Sequence, residues 1–292
     1  MPAVLIVNPS ASGVDDARVG EVVAALAPLG RLEVRATERP GHAVELAREA
    51  SREAETVLVL SGDGGFNEVL NGLARDVRVG FLPAGGTNVL PRALGLPRDP
   101  VAAARRLAAG RTRRISLGRV NGRRFAFAAG VGLDAELVRR MEALGRRHGR
   151  RERDLRVAWI ALRLLAERRV HLPPALEVEG HGRVAFALVA NADPYTFAGP
   201  LGLHVAPEAR FERGLDLVAP RELRARSLPR FSWYALTGRG QASAPDVAYG
   251  HDLDRIVVHT ETPVPLQVDG EDLGDVTEAV FEAERDAVRV LV

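Results

Sequence analysis

A run of small residues, Ser61-Gly62-Asp63-Gly64-Gly65, follows directly on the apolar segment Thr56–Leu60. Small residues at the end of an apolar strand let the backbone come close to an anion. The helix that follows offers unpaired N–H groups and the positive end of its dipole. The chemistry open to such a turn is the holding of phosphate, with Asp63 setting a carboxylate where a phosphate-bound Mg²⁺ would sit. The alternative is a tight turn that uses glycine for shape alone. The dinucleotide pattern G-x-G-x-x-G is not met, because Asn67 stands where its third glycine would be. A second run, Pro83-Ala84-Gly85-Gly86-Thr87-Asn88, comes one β–α unit later. Turns at the carboxyl ends of adjacent parallel strands lie side by side and can share one ligand, which favours the phosphate reading.

Charge narrows that chemistry. The chain has 292 residues, 40 of them basic and 38 acidic, and every basic residue is Arg. Without Lys there is no Walker-type phosphate site and no Schiff base. Phosphate must therefore be held by backbone amides, Arg and a metal ion. Cysteine is absent, which excludes disulfides and thiolate metal sites. The seven His residues show no zinc-like spacing.

The elements that must position these turns alternate through the first hundred residues. Ala3–Val7, Leu32–Ala36, Thr56–Leu60 and Val77–Leu82 read as strands. Between and after them, helices are expected from Asp15 or Asp16 to Leu29, over Ala43–Glu53, over Phe66–Ala74 and over Pro100–Ala109. Near-continuous apolar strands in β–α units predict a Rossmann-like parallel sheet covered on both faces. After Arg113 the pattern becomes short strands: a hairpin of Arg114–Val120 and Arg123–Ala129 turning at Asn121-Gly122, then Val184–Ala190, Leu215–Ala219, Arg255–Thr260, Val264–Val268 and Val288–Val292. Helical stretches are expected over Leu133–Leu165, broken near Gly145–Gly149, and over Leu228–Leu236. The expected plan is an α/β domain over residues 1–112 and a mainly antiparallel β-sandwich domain with helical insertions over 113–292, whose last strand is free to return to the first domain. No apolar run approaches the roughly 18–20 residues that cross a bilayer. A cytoplasmic protein is expected, or one peripheral at the inner membrane face.

S-G-D-G-G-F-N-E-V at 61–69 resembles the G-G-D-G-T-x-N-E-V signature of the diacylglycerol kinase catalytic superfamily, which includes soluble bacterial lipid kinases and the sphingosine and ceramide kinases. Val7-Asn8-Pro9, Pro83–Arg92, Gly130–Ala135 and Gln267-Val268-Asp269-Gly270-Glu271 resemble its other motifs, in the same order. The resemblance implies an N-terminal domain of the kind shared with NAD kinase. It implies a nucleotide cleft lined by Asn8, Gly62, Asp63, Gly64, Gly65, Asn67, Gly85, Gly86, Thr87 and Asn88. It further implies Glu271 as the base for a lipid hydroxyl, Asp63 as a second catalytic residue, Asp134 at the acceptor site, and ATP with Mg²⁺ reached by Asp63 through the nucleotide. A phosphoryl transfer needs a carboxylate within reach of the attacking hydroxyl, which agrees. Read without the resemblance, Glu271 is a solvated hairpin acid. Three departures from the family matter for the chemistry: Gly65 replaces Thr, Val89 stands where many members carry Asp, and Arg213 occupies the usual Asp of D-G-x-x-D. Because that Asp helps hold a structural Mg²⁺ in some bacterial members, no such ion is expected here.

Residues 139–169 hold eleven Arg against four acids. Leu155, Ala158, Trp159, Leu162 and Leu165 repeat at helical spacing, with Arg156 and Arg163 off that stripe. Such a helix fits an anionic membrane surface, and equally a core-facing helix with a solvated Arg face. Nucleic acid is not expected as a partner, since the Arg residues are not interleaved with aromatics. A lipid at a membrane surface is, and a homodimer is left open. The readings carried forward are an ATP-dependent lipid kinase, an NAD kinase-like enzyme, and a nucleotide- or lipid-binding module without catalysis.

Overall fold

The structure, a computed structural model, describes residues 3–148 and 171–292, together with 160, 163, 164, 166 and 167. It divides into two compact units, Met1–Leu117 with Arg285–Val292, and Gly118–Glu284.

The first unit contains β1 (Ala3–Val7), α1 (Asp16–Leu26), β2 (Leu32–Ala36), α2 (His42–Glu53), β3 (Thr56–Ser61), α3 (Asp63–Gly72), β4 (Arg78–Pro83), α4 (Val89–Ala93) and α5 (Pro100–Leu107). Strands β1 and β3 are buried at every residue, the burial expected of central parallel strands covered on both faces. They pair in the order β2-β1-β3-β4, all parallel, and Arg289 and Val290 near the chain end add a further parallel strand beside Arg78 and Val79. Strand β2 lies at the edge and leaves Val34 exposed. Asp15, not Asp16, caps α1, its carboxylate accepting the Arg18 amide at 2.7 Å, and Asp99 caps α5 in the same way.

Helix α3 begins at Asp63, three residues before the position read from the sequence. The apolar period starts only at Phe66, but Gly64 and Gly65 occupy the first turn, where amides need no intrahelical partner. The glycine run is thus the helix's own first turn rather than a loop before it. Helix α4, which follows the second glycine run, was not expected from the sequence.

In the second unit, β5 (Thr112–Val120, begun in the first unit) pairs with β6 (Arg123–Phe125) across Asn121-Gly122, both residues at positive φ. There follow β7 (Ala128–Val131), α6 (Leu133–His148), β8 (His171–Leu172), β9 (Leu176–Val178), β10 (Gly182–Val184), β11 (Ala187–Ala190), β12 (Thr196–Ala198), β13 (Leu201–Leu203), β14 (Leu215–Pro220), β15 (Leu223–Arg224), α7 (Leu228–Thr237), β16 (Val247–Leu253), β17 (Arg255–Val268) and β18 (Glu271–Leu291). The antiparallel order is β16-β14-β11-β7-β17-β18. Strand β17 joins the segments expected as Arg255–Thr260 and Val264–Val268. Its register shifts between His259 and Val264, so that β9 pairs with its first half and β7 with its second. The segment expected as Val288–Val292 is the end of the 21-residue β18. Phe125, Val189, Leu217, Val268 and Phe281 are among the residues of the enclosed core. Of the Arg-rich stretch, Leu155, Arg156, Ala158, Trp159, Leu162 and Leu165 lie outside the described residues.

Candidate active site

Three strand ends of the first unit carry the expected phosphate turns. The Asn8 amide donates to Leu60 O at 3.0 Å, and the Ala84 amide to Ser61 O at 2.8 Å, so the exits of β1, β3 and β4 are in register. Asn8 Nδ2 reaches Ser61 Oγ at 3.3 Å, while Asn8 Oδ1 accepts the Ser10 amide. The two glycine runs touch: a Cβ on Gly62 would lie 3.2 Å from Gly85 Cα, tighter than ordinary carbon contacts. Asp63 closes the same junction, since its Oδ1 accepts the Leu90 amide of α4 at 3.2 Å. Asn88, at φ 52°, braces the second run by donating to Gly85 O and accepting from the Gly85 amide, both at 2.8 Å.

Of the residues expected to bind nucleotide, Asn8, Gly62, Asp63, Gly64, Gly65, Gly85, Gly86, Thr87 and Asn88 sit at these strand ends. Gly86 is exposed and Thr87 half-buried. Asn67 differs: it is fully buried on α3, and its side-chain and backbone oxygens accept from Asn71 Nδ2. Val89 is buried and brings no polar group.

Two residues that sequence reading passed over also shape this region. Ser61 is buried, and a Cβ placed on Gly65 would overlap its Oγ and sit 2.8 Å from its Cβ. Glu68 accepts the Gly41 amide at 3.0 Å and the Ala43 amide at 3.2 Å, holding the start of α2 with a carboxylate from α3. Glu68 lies 27 residues along the chain from Gly41, so no local signal in the sequence hints at this contact.

The second unit holds the other expected residues. Asp269 and Gly270 form the two-residue β17–β18 turn, at φ 48° and 83°, as a type I′ hairpin requires. The buried Asp269 carboxylate accepts three amides, of Ala126, Phe127 and Ala128, at 2.6, 3.0 and 3.2 Å, and so pins the start of β7. Glu271, immediately after the turn, pairs with Arg123 at 3.1 Å with both side chains partly exposed. Asp134, at the start of α6, accepts from Tyr195 Oη at 2.8 Å and from Gln267 Nε2 at 2.6 Å. Burial pushes the Asp134 carboxyl above the usual aspartate range, and the two donors offset part of that rise. The Tyr195 phenol is pushed up by burial and by the neighbouring carboxylate. Arg139 of α6 grips Asp272 at 2.8 and 3.1 Å and Asp275 at 2.6 Å, fixing the helix against β18.

The first unit matches a known family closely. Residues 2–120 match the family described as the diacylglycerol kinase catalytic domain. The diacylglycerol kinase of Bacillus subtilis (strain 168) is 44% identical over 108 residues, covering 35% of this chain and 36% of that protein. The diacylglycerol kinase of Staphylococcus haemolyticus (strain JCSC1435) is 36% identical over 101 residues, 33% of this chain and 31% of that protein. The chain thus aligns with about a third of the length of these relatives. YtlR of Bacillus subtilis, provisionally named a lipid kinase, aligns over 92% of this chain and 93% of its own at 28% identity. The crystal structure of a diacylglycerol kinase from Bacillus anthracis shares the fold, with a TM-score of 0.74, 19% identity and coverage of 99% of this chain and 96% of that one.

The site suits phosphate better than it suits a resident metal. The first turn of α3 and the braced run at Gly85–Asn88 offer backbone donors, whereas no cluster of three metal-ligating side chains occurs among the described residues. A Mg²⁺ arriving on nucleotide phosphates fits this donor set; a protein-caged ion does not. At the position where a structural Mg²⁺ was not expected, Arg213 Nη1 lies 2.7 Å from His251 Nε2, and His251 Nδ1 lies 2.8 Å from the buried Asp216.

Proposed function

We propose that this chain is an ATP-dependent lipid kinase, transferring the γ-phosphate to a hydroxyl of diacylglycerol or a related lipid. The observation that carries the nucleotide half is the contact of the two glycine runs, Gly62 against Gly85, beside the N-terminus of α3. Together they form a backbone-donor cradle for a polyphosphate in a chain with no lysine. Asp63 keeps the two runs in register. Asn8 and Ser61 add side-chain polarity at the same strand ends, Asn88 holds the Gly85 backbone in place, and Asn67 braces Asn71 within α3.

The lipid half is supported by the names of the related proteins and by the carboxylates of the second unit. Glu271 takes the proton of the acceptor hydroxyl as its oxygen bonds to the γ-phosphorus and the bridging P–O bond breaks toward ADP. Arg123, 3.1 Å away, orients the Glu271 carboxylate before the acceptor arrives. Mg²⁺ carried by the nucleotide would supply charge neutralisation on the phosphate oxygens. Asp134, fixed by Tyr195 and Gln267, orders the start of α6 on the acceptor side. One experiment separates the readings: incubation with Mg²⁺, labelled ATP, mixed neutral lipids and NAD. Label in a lipid hydroxyl is expected. Label in NAD would make the chain an NAD kinase, and no transfer with ATP still bound would make it a binding module.

A further inference from the structure

Helix α7 is amphipathic in an unusual sense: none of its ten residues is fully buried. Its inner side is defined by Leu228 and Phe231, which pack on Leu172, Ala185, Phe186 and Leu223, and by Tyr234, whose ring lies against Gly240. The opposite side carries Pro229, Trp233 and Leu236 at i, i+4 and i+7, a single stripe. Trp233 is 61% exposed and Leu236 54%. Strand β13 packs beside this helix, and at its start Leu201 is 58% exposed, following the exposed Ala198 and Pro200 of the β12–β13 turn.

Exposed Trp, Leu and Pro on adjoining elements form a patch of the kind that marks an interaction surface. Charge decides what covers it. Residues 223–240 contain Arg224, Arg226, Arg230 and Arg239 and no acid. Arg224 is paired with Glu222 and Arg230 with Asp246, while Arg226 and Arg239 are exposed and have no ion pair among the described residues. An acid-free segment with aromatic and aliphatic side chains outward and Arg at both ends matches an anionic bilayer: the indole lies at the headgroup level and the guanidinium groups reach lipid phosphates.

We propose that α7, with the β12–β13 turn, docks this protein on an anionic lipid surface. The proposal deepens the lipid-kinase reading, which requires access to an acceptor held in a bilayer.

The chain has two Trp residues, so Trp159→Phe leaves Trp233 as the single tryptophan. Its emission should shift to the blue on vesicles containing phosphatidylglycerol, should stay unchanged on pure phosphatidylcholine, and should revert as salt is raised. The double variant Trp233→Ser, Leu236→Ser should keep its circular dichroism, since both side chains are exposed, and should lose about tenfold or more in vesicle partitioning. Arg226→Glu with Arg239→Glu should lose partitioning to anionic vesicles alone. No blue shift on anionic vesicles, or wild-type partitioning by both double variants, overturns the proposal. So does a concentration-dependent dimer in sedimentation that the Trp233→Ser, Leu236→Ser variant abolishes, because the patch would then belong to a second copy. Phosphoryl transfer to detergent-dispersed diacylglycerol without vesicle docking rejects the docking alone. Docking through α7 with no lipid phosphorylated rejects the kinase reading alone.

Discussion

The hydroxyl of Ser61 occupies the space into which a side chain on Gly65 would project. Where the family resemblance places glycine and then threonine, this chain carries serine and then glycine, so one hydroxyl has moved four residues back and now accepts from Asn8. Position 65 is glycine because position 61 is not. Gly65→Thr alone should destabilise the fold by about 1–3 kcal/mol through overpacking against a buried side chain. The double change Ser61→Gly, Gly65→Thr should recover most of that loss. Urea unfolding of the two single variants and the double variant reads the coupling, and strict additivity would disprove the exchange.

Glu68 looks catalytic by its neighbourhood and is placed as a cap. Glu68→Ala should cost about 1–2 kcal/mol of stability by leaving the Gly41 and Ala43 amides without their acceptor. Nucleotide affinity, measured by calorimetry on the folded variant, should change by less than about threefold. A large loss of affinity with unchanged unfolding would put Glu68 on the ligand instead.

Glu271→Gln should lower turnover by a factor of about 10²–10⁴, the usual weight of a general base. ATP binding should persist, since the glycine runs that hold phosphate are untouched. A fully active variant would leave Glu271 as nothing more than the partner of Arg123.

Asp134 should leave a mark on pH dependence. Its native carboxyl holds a proton to higher pH than the unfolded chain, where aspartate titrates near 3.8. Folding therefore takes up protons above that pH, and the contribution of this side chain falls as pH rises through its raised native value. Asp134→Asn removes that slope. Relative to the variant, the wild type should lose ground in thermal unfolding as pH is raised above 3.8. A difference that stays constant across the range would mean that the carboxyl ionises normally.

Arg213 should make the second unit indifferent to divalent ions. The guanidinium faces His251, which in turn faces the buried Asp216, so Arg213 is linked to that carboxylate through the imidazole. Burial raises the Asp216 carboxyl and His251 opposes the rise. Thermal unfolding should be the same in Mg²⁺ and in chelator, whereas Arg213→Ala should lower the midpoint in both. Metal density beside residue 213 in a Mg²⁺-soaked crystal would contradict this assignment.

Much of the architecture could be read from local pattern. Strands such as Val4–Val7 and Val57–Leu60 are apolar at every position, which only a doubly covered parallel strand explains. Asn121-Gly122 specifies its hairpin by conformational preference alone, and the lack of lysine by itself restricts phosphate binding to backbone, arginine and metal. The motifs 61–69 and 267–271 placed both candidate regions. What the sequence could not show is which polar residues face a ligand and which hold the scaffold. Asn67 and Asn88 read as nucleotide-binding residues, yet their side chains bond Asn71 and the Gly85 backbone, while Glu68 and Asp269 of the neighbouring motif positions hold distant amides. That division depends on contacts between residues far apart in the chain, such as Glu68 with Gly41 and Asp269 with Phe127, and no local spacing encodes them. The same reason hid the exchange of Ser61 for Gly65, visible only once the helix began at Asp63 and brought the two positions one turn apart. It also hid the outward stripe of α7, because an apolar helical period reads the same whether its face meets a core or meets solvent.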